Sequence, residues 1–317
     1  MQQRWWIWIA AFLTTLGMCA VFACSSGTRP ERAPPGPATS GVGAPVLVAK
    51  IDNSPRARPP VGLAAADMVY VEPVEGGSSR LAAVFSTDKP PVIGPIRSAR
   101  ETDLTLLDQF GDPTLASSGA APELVASVDR SSLQNASADR QPGAYYRDYS
   151  RDAPHNLFVR SDRLPVGGGW PPASQPYFGP TPAGGRLTQH QEARYPDTLI
   201  GFDWSPEHQR WLVSMDGAAY TGADTGQVMA GTVVLQSVQV QDSAISDTAG
   251  SVSPLARTTG SGRALVLRDG RAFPAEWSRP SPQAGTTYTT STGTAIPVAP
   301  GQVWTVLIPA QLWSPGA

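Results

Sequence analysis

The sequence predicts an α+β protein, with a mixed α/β N-terminal half followed by a mainly antiparallel β C-terminal half. Three observations carry this. Charged residues are only 16% of the 317, while 31 Gly and 32 Pro make up about a fifth of the chain, a balance that favours turns and strands over long surface helices. The apolar runs have strand length, and only two short stretches carry helical spacing. A Pro- and Gly-rich stretch, 165–197, divides a region of mixed pattern from one that is largely β.

The chain opens with Arg4, an apolar run from Trp5 to Val21, and Val21-Phe22-Ala23-Cys24, so residues 1–23 read as an export signal. The end looks like a bacterial lipobox: small Ala23 precedes Cys24, whose thiol would take diacylglycerol with its palmitate-like chains. Two or three acyl chains make a stable anchor. The alternative is an uncleaved apolar anchor, since the run is near bilayer length. Either way the body lies outside the cytoplasmic membrane, with the membrane itself as one partner. Residues 24–45, rich in Pro, Gly, Ser and Ala, are expected to be a disordered tether.

An N-terminal domain is expected over 46–164. Val46–Ile51 suits a buried strand, 67–74 and 80–86 are strand-like neighbours joined through Glu75-Gly76-Gly77-Ser78-Ser79, and Pro113–Ser117 suits another strand. Ser98-Ala99-Arg100-Glu101 has the form of a capping box, and Leu104, Leu107 and Phe110 continue it as a helix over 99–110. Pro122–Val128 is a second short helix. Residues 165–197 are expected to wrap the surface as a linker. A C-terminal domain over 198–313 then holds strands at 199–204, 210–214, 232–241, 263–268, 271–277 and 302–308, with Asp269-Gly270 as a hairpin turn.

A net charge of -2, with lysine only at Lys50 and Lys89, supplies no stripe to neutralise phosphates, so no nucleic-acid partner is expected. Loss of the leader would leave Cys24 as the one mature cysteine, and three histidines are too few for an ordinary zinc set, so no metal and no cofactor are expected. His190-Gln191-Glu192 lacks the second histidine of a zinc-protease motif. No Gly-x-Ser-x-Gly elbow, phosphate loop or dinucleotide fingerprint occurs.

The polar residues gather at turns of the first domain: Asp52 and Asn53 after the first strand, Glu72 and Glu75 around the second, Arg80 opening the third, Arg97 and Arg100 at the helix start, and Arg147, Asp148, His155 and Asn156 beyond. If they converge, the arginines would take carboxylate or phosphate oxygens bidentately, helped by the helix start, while Asp52, Glu72 and Glu75 orient them and His155 and Asn156 close one side. The bland alternative is a set of structural ion pairs between helix and sheet. A rival function is a cell-wall-directed hydrolase or transferase with His155 or Glu75 as acid/base.

The same residues carry a family resemblance. Ile51-Asp52-Asn53, Pro55-Arg56-Ala57-Arg58-Pro59, Val74-Glu75-Gly76-Gly77, Ile93-Gly94-Pro95-Ile96-Arg97-Ser98-Ala99-Arg100, Tyr146-Arg147-Asp148 and Ala153-Pro154-His155-Asn156-Leu157 resemble the YerB-like bacterial lipoproteins. In the C-terminal half, Thr232–Gln236, Gly260–Ala264 and Gly301-Gln302-Val303-Trp304 are similar to the family's second domain, with Thr232 where the pattern usually has Asn. The resemblance implies an envelope lipoprotein of paired domains without an assigned activity. Taken together, the expectation is a lipid-anchored protein on the outer face of the cytoplasmic membrane that binds an anionic ligand, a cell-wall component or a partner protein.

Overall fold

The computed structural model describes residues 43–247 and 250–314. The leader, Cys24 and nearly all of the expected tether lie outside them. Three strands form the N-terminal centre: β1 (Leu47–Asp52), β2 (Met68–Pro73) and β3 (Ser79–Phe85), each buried along its whole length. β3 lies between the other two, antiparallel to both. The β2–β3 turn follows the expected course, and Gly76 and Gly77 sit at φ 68° and 73°, where a side chain would strain the backbone. At Gly77 an added Cβ would also stand 2.6 Å from Pro196.

These strands belong to one eleven-stranded sheet that runs through both halves of the chain. From β2 the sheet continues into Val303–Pro309, then Thr232–Val238, Gly260–Arg268, Arg271–Arg279 and Thr287–Thr289; from β1 it continues into Thr114–Ala116 and Gln134–Asn135. Val303–Pro309 pairs in parallel with both β2 and Thr232–Val238, so the C-terminal strand joins the halves. Gly260–Arg268 and Arg271–Arg279 form the hairpin expected at Asp269-Gly270.

Two layers cover this sheet. On one face lie α1 (Glu101–Leu106), its 3-10 continuation Leu107–Phe110 and α2 (Pro122–Arg130), packing Leu106, Leu107, Phe110 and Leu124 against Val48, Tyr70 and Val84. On the other lies a five-stranded sheet that begins at His190–Tyr195 and continues through Thr198–Ser205 and Arg210–Met215. Its inner residues Tyr195, Ile200, Phe202 and Trp211 pack with Val69, Val71 and Trp304. The Tyr195 hydroxyl donates within reach of the Val71 and Leu307 carbonyls, at 3.2 and 2.8 Å. Among the described residues no helix is long and apolar enough to cross a membrane.

Four local expectations need correction. The helix starts at Glu101 rather than 99, because Arg97 N–H donates to the Lys50 carbonyl and Ala99 N–H to Gly119, which hold 97–99 extended. Asp103, not Glu101, closes the helix start, taking the Arg100 N–H at 2.7 Å, while the Ser98 hydroxyl meets Ser118. The expected linker 165–197 ends in structure: Arg186–Leu187 adds to the large sheet and His190–Tyr195 is an alternating, half-buried strand. The run 232–241 also breaks at Gln239, after which Val240–Ser246 pairs with Val252–Ala256 as a separate ribbon.

Candidate functional site

Pleating places the charged residues. Asp52, Arg80 and Glu72 stand opposite one another across β1, β3 and β2, and so project to one face; Lys50, two residues before Asp52, shares it. That is the face covered by α1, and the segment 97–103 crosses the strand ends above it. The constellation therefore divides into an outer row and an inner triad.

In the outer row, Asp52 lies 3.2 Å from Arg97 Nε, a charge contact without hydrogen-bond geometry, and 2.8 Å from His155 Nδ1, and it accepts the Ser54 N–H. Burial pushes the Asp52 carboxyl up, but the bonds from His155 and Ser54 outweigh it and hold the group below its ordinary value. Glu75, on the β2–β3 turn, accepts a hydrogen bond from Arg100 Nη2 at 2.7 Å, and Arg100 Nε stands 2.6 Å away as a charge contact without hydrogen-bond geometry. Burial acts against this charge too, yet Arg100 and a hydroxyl bond from Ser253 on the Val252–Ala256 strand keep Glu75 low.

Arg80 lies between these pairs. The residue is 6% exposed, and its Nη1 donates to the Ser98 carbonyl at 3.0 Å. Among the described residues no carboxylate lies within ion-pair distance of Arg80, and its Nε and Nη2 make no hydrogen bond. Burial first, then the neighbouring Arg100 and Arg97 charges, pull its acid constant down to about 10 against the attraction of Glu75 and Asp52, which leaves it cationic at neutral pH. The row reaches solvent mainly through Arg97, whose side chain is 29% exposed, with Arg100 and His155 at 15% and 13%.

The inner triad is sealed. Lys50 Nζ lies 2.8 Å from Glu72 and 2.6 Å from Asp103, with all three side chains at 0–1% exposure. Burial, then the Asp103 charge, push Glu72 upward against the pull of Lys50. Glu72 thus serves Lys50 and not the arginines it was expected to orient. Lys50 and Asp103 were not among the expected site residues, though a lysine inside the apolar run Val46–Ile51 is an anomaly that marks a buried partner.

Asn53 points to the opposite face, where its amide meets Ser79 at 2.8 Å, so the structure does not bring it to the arginines. Asn156 instead fixes the 147–156 loop: its Oδ1 accepts Arg147 at 2.7 Å and its carbonyl accepts the Asp148 N–H. The short α1 adds no free amide at Arg100, since Asp103 takes it. Ser54 and Asp52 both approach Nδ1 of His155, at 3.2 and 2.8 Å. A serine relay needs its nucleophile at the other ring nitrogen, so Ser54 is not arranged as one.

A separate basin of about 480 Å³ opens on the outer face of the five-stranded sheet, floored by Gly201 and Ser214. His190 sits there between Asp203 at 2.7 Å and Glu192 at 3.3 Å, and the Asp203 bond is the main cause of its raised acid constant.

Two family models match in tandem: the N-terminal domain of a protein of unknown function, DUF3048, over residues 36–167, and its C-terminal domain over 191–305. This chain belongs to the DUF3048 family. Both segments of the DUF3048 pair contribute strands to the shared sheet, and the second begins at the His190–Tyr195 strand. A relative from Bacillus subtilis (strain 168), named "Putative lipoprotein YerB", is 25% identical over 279 residues, spanning 82% of this chain and 80% of that protein. The crystal structure of the YerB protein from Bacillus subtilis has the same fold, with a TM-score of 0.73 at 20% identity over 87% of this chain and 95% of that one.

Proposed function

We propose that this DUF3048 protein is exported, held to the outer face of the cytoplasmic membrane by lipid on Cys24, and binds an anionic group through Arg97, Arg100 and Arg80. The observation that carries the binding reading is Arg80: a nearly buried guanidinium with a carbonyl but no carboxylate partner, flanked by two further guanidiniums. A buried charge demands a counter-ion, and an incoming oxyanion would supply it. Asp52 and Glu75 position the flanking arginines, and His155 holds Asp52. Candidate ligands are a cell-wall component or an acidic segment of an envelope protein. The anchor reading rests on the lipobox-like Val21–Cys24 and on the name of the Bacillus relative.

A folded Arg97→Ala, Arg100→Ala double variant is expected to lose retention on immobilised envelope extracts; full retention would defeat the binding reading. Palmitate-analogue labelling should disappear in Cys24→Ala, and persistent label would exclude the anchor.

A second reading, wall hydrolysis or transfer, draws on one feature: Asp52 holds Nδ1 of His155, while Nε2 makes no hydrogen bond among the described residues. Glu75 suits the acid/base role poorly, since Arg100 and Ser253 engage both its oxygens. Release of wall fragments that vanishes in a folded His155→Ala variant would favour this reading.

A further inference from the structure

We infer that the basin on the outer face of the five-stranded sheet is a binding site for an uncharged, hydroxyl-rich ligand, a sugar residue of a glycan. No residue of the arginine row takes part in it, so the site is independent of the anionic-ligand reading.

Strand register builds the basin. His190 stands opposite Asp203, Glu192 opposite Gly201, and Gly201 opposite Ser214, so all five share the face turned away from the large sheet. Gly201 lies in the middle, and its missing side chain makes the hollow. A Cβ there would come within 2.3 Å of Ser214 Oγ and 3.7 Å of His190 Cε1. The space that results, about 480 Å³, is within the usual range of small-molecule sites.

The polar groups of the lining are mainly acceptors. Asp203 spends Oδ1 on His190 Nδ1 at 2.7 Å, and its Oδ2 makes no hydrogen bond among the described residues. Gln227 donates through Nε2 to the Val213 carbonyl at 2.9 Å, which leaves its amide oxygen open. Glu192 makes only charge contacts, Oε1 with His190 Nε2 at 3.3 Å and Oε2 with Arg194 at 3.7 Å, so both oxygens can still accept. The Ser214 hydroxyl makes no hydrogen bond among the described residues. A ligand that fits must therefore bring hydrogens, from hydroxyls or from an amine.

Charge decides between the two. The imidazole is bonded to Asp203, whose bond raises its acid constant, and Arg194 stands beside Glu192. The basin is thus not a bare pair of anions that would draw an ammonium ion. The hydroxyls of a sugar ring match it better, because they donate charge-assisted bonds to carboxylate oxygens without bringing a charge of their own. Leu199, Leu212 and Ala219 complete the wall and give the C–H faces of such a ring an apolar surface.

The test is an array of neutral, acidic and amino-substituted oligosaccharides probed with the purified full chain, followed by calorimetric titration of the best-bound glycan. A neutral glycan should lead, with its uronic-acid counterpart held about tenfold more weakly, because a further carboxylate would face Asp203 and Glu192. Gly201→Val, which fills the floor from an outer-face position, should abolish the titration signal. Ser214→Ala and Asp203→Ala should each weaken binding about tenfold, the loss expected of a hydrogen bond in which one partner is charged or left unpaired. These two variants carry the test alone if Gly201→Val does not fold. Binding of no glycan, a preference for amino-substituted or acidic ones, or neutral-glycan binding indifferent to Gly201, Ser214 and Asp203 overturns the sugar site. None of those results bears on anion binding by Arg80, Arg97 and Arg100, which the envelope-extract experiment tests separately.

Discussion

The Lys50 triad and the arginine row lie side by side on one face of the same three strands, yet they put the same kinds of charge to opposite use. In the triad every group is enclosed and the lysine spends its charge on two carboxylates. In the row two arginines are matched one to one, and the third, Arg80, meets only a carbonyl. The difference arises from α1: Asp103 in its first turn caps Lys50, whereas the extended segment 97–100 lays backbone, not a carboxylate, over Arg80. Ion pairing alone therefore does not separate the two clusters; a nearly buried cation that hydrogen-bonds only a carbonyl does.

Removing Lys50 is the largest perturbation expected. Lys50→Met leaves Glu72 and Asp103 facing each other without a cation, and breaking one partner out of a buried ion pair costs about 3–5 kcal/mol. Chemical denaturation should show that loss, with much of it recovered when Glu72→Gln and Asp103→Asn are added. A cost near zero would mean that the triad is not the structural member of the comparison.

Arg100→Ala should be milder. It releases one hydrogen bond and a charge contact to Glu75, worth about 2 kcal/mol for bonds to charged groups. Thermal melts should place it well below Lys50→Met, while anion binding should fall far more than it does in any triad variant that still folds. Equal effects on stability and binding would erase the distinction between the two clusters.

The two clusters should also titrate in opposite senses. Asp52 and Glu75 are held below the ordinary carboxylate value, so the folded state binds fewer protons than the unfolded one, and their stability is lost as pH falls through the acid range. Glu72 is pushed above that value, so its contribution is present at acid pH and is lost as pH rises through its raised value. Stability should thus pass through a maximum, and Glu72→Gln should flatten the limb that falls from it toward about pH 7 while sparing the acid one. A neutral limb unchanged in Glu72→Gln would show that another group sets it.

How much of this could be read in advance follows from sequence distance. β1, β2, β3 and the Asp269-Gly270 hairpin were legible because apolar runs and turn residues act locally. Asp52, Arg80, Arg97, Arg100, Glu75 and His155 all sit where strands and the helix end, which makes them candidates for one cluster, but only the fold decides that they meet. Glu72 and Asn53 were assigned to the same group, yet the pleat and the helix cap decide their sides, and neither is written in composition. The helix start moved two residues because Lys50 and Gly119 claim backbone groups of the 97–99 segment, a tertiary demand that overrides a local capping pattern. Insertion of Val303–Pro309 beside β2 is the most remote pairing of all, and no local signal announces it.

The ribbon of Val240–Ser246 and Val252–Ala256 gives the finest test of the comparison, because it bonds to Glu75 of the outer row and to the first turn of α1. Ser253 donates to Glu75, Ser243 to Glu101, and the Ala256 N–H meets the Thr102 hydroxyl at 3.0 Å. Ser253→Ala removes one hydrogen bond to a carboxylate that Arg100 still grips, so a loss of about 1 kcal/mol is expected. With that bond gone Glu75 should protonate at a higher pH, moving the acid limb of the stability profile upward while the neutral limb set by Glu72 stays in place. A shift of both limbs would mean that the ribbon acts on the whole sheet face. A shift of the acid limb alone would show that the C-terminal half tunes the arginine row through Glu75 without reaching the sealed triad beneath it.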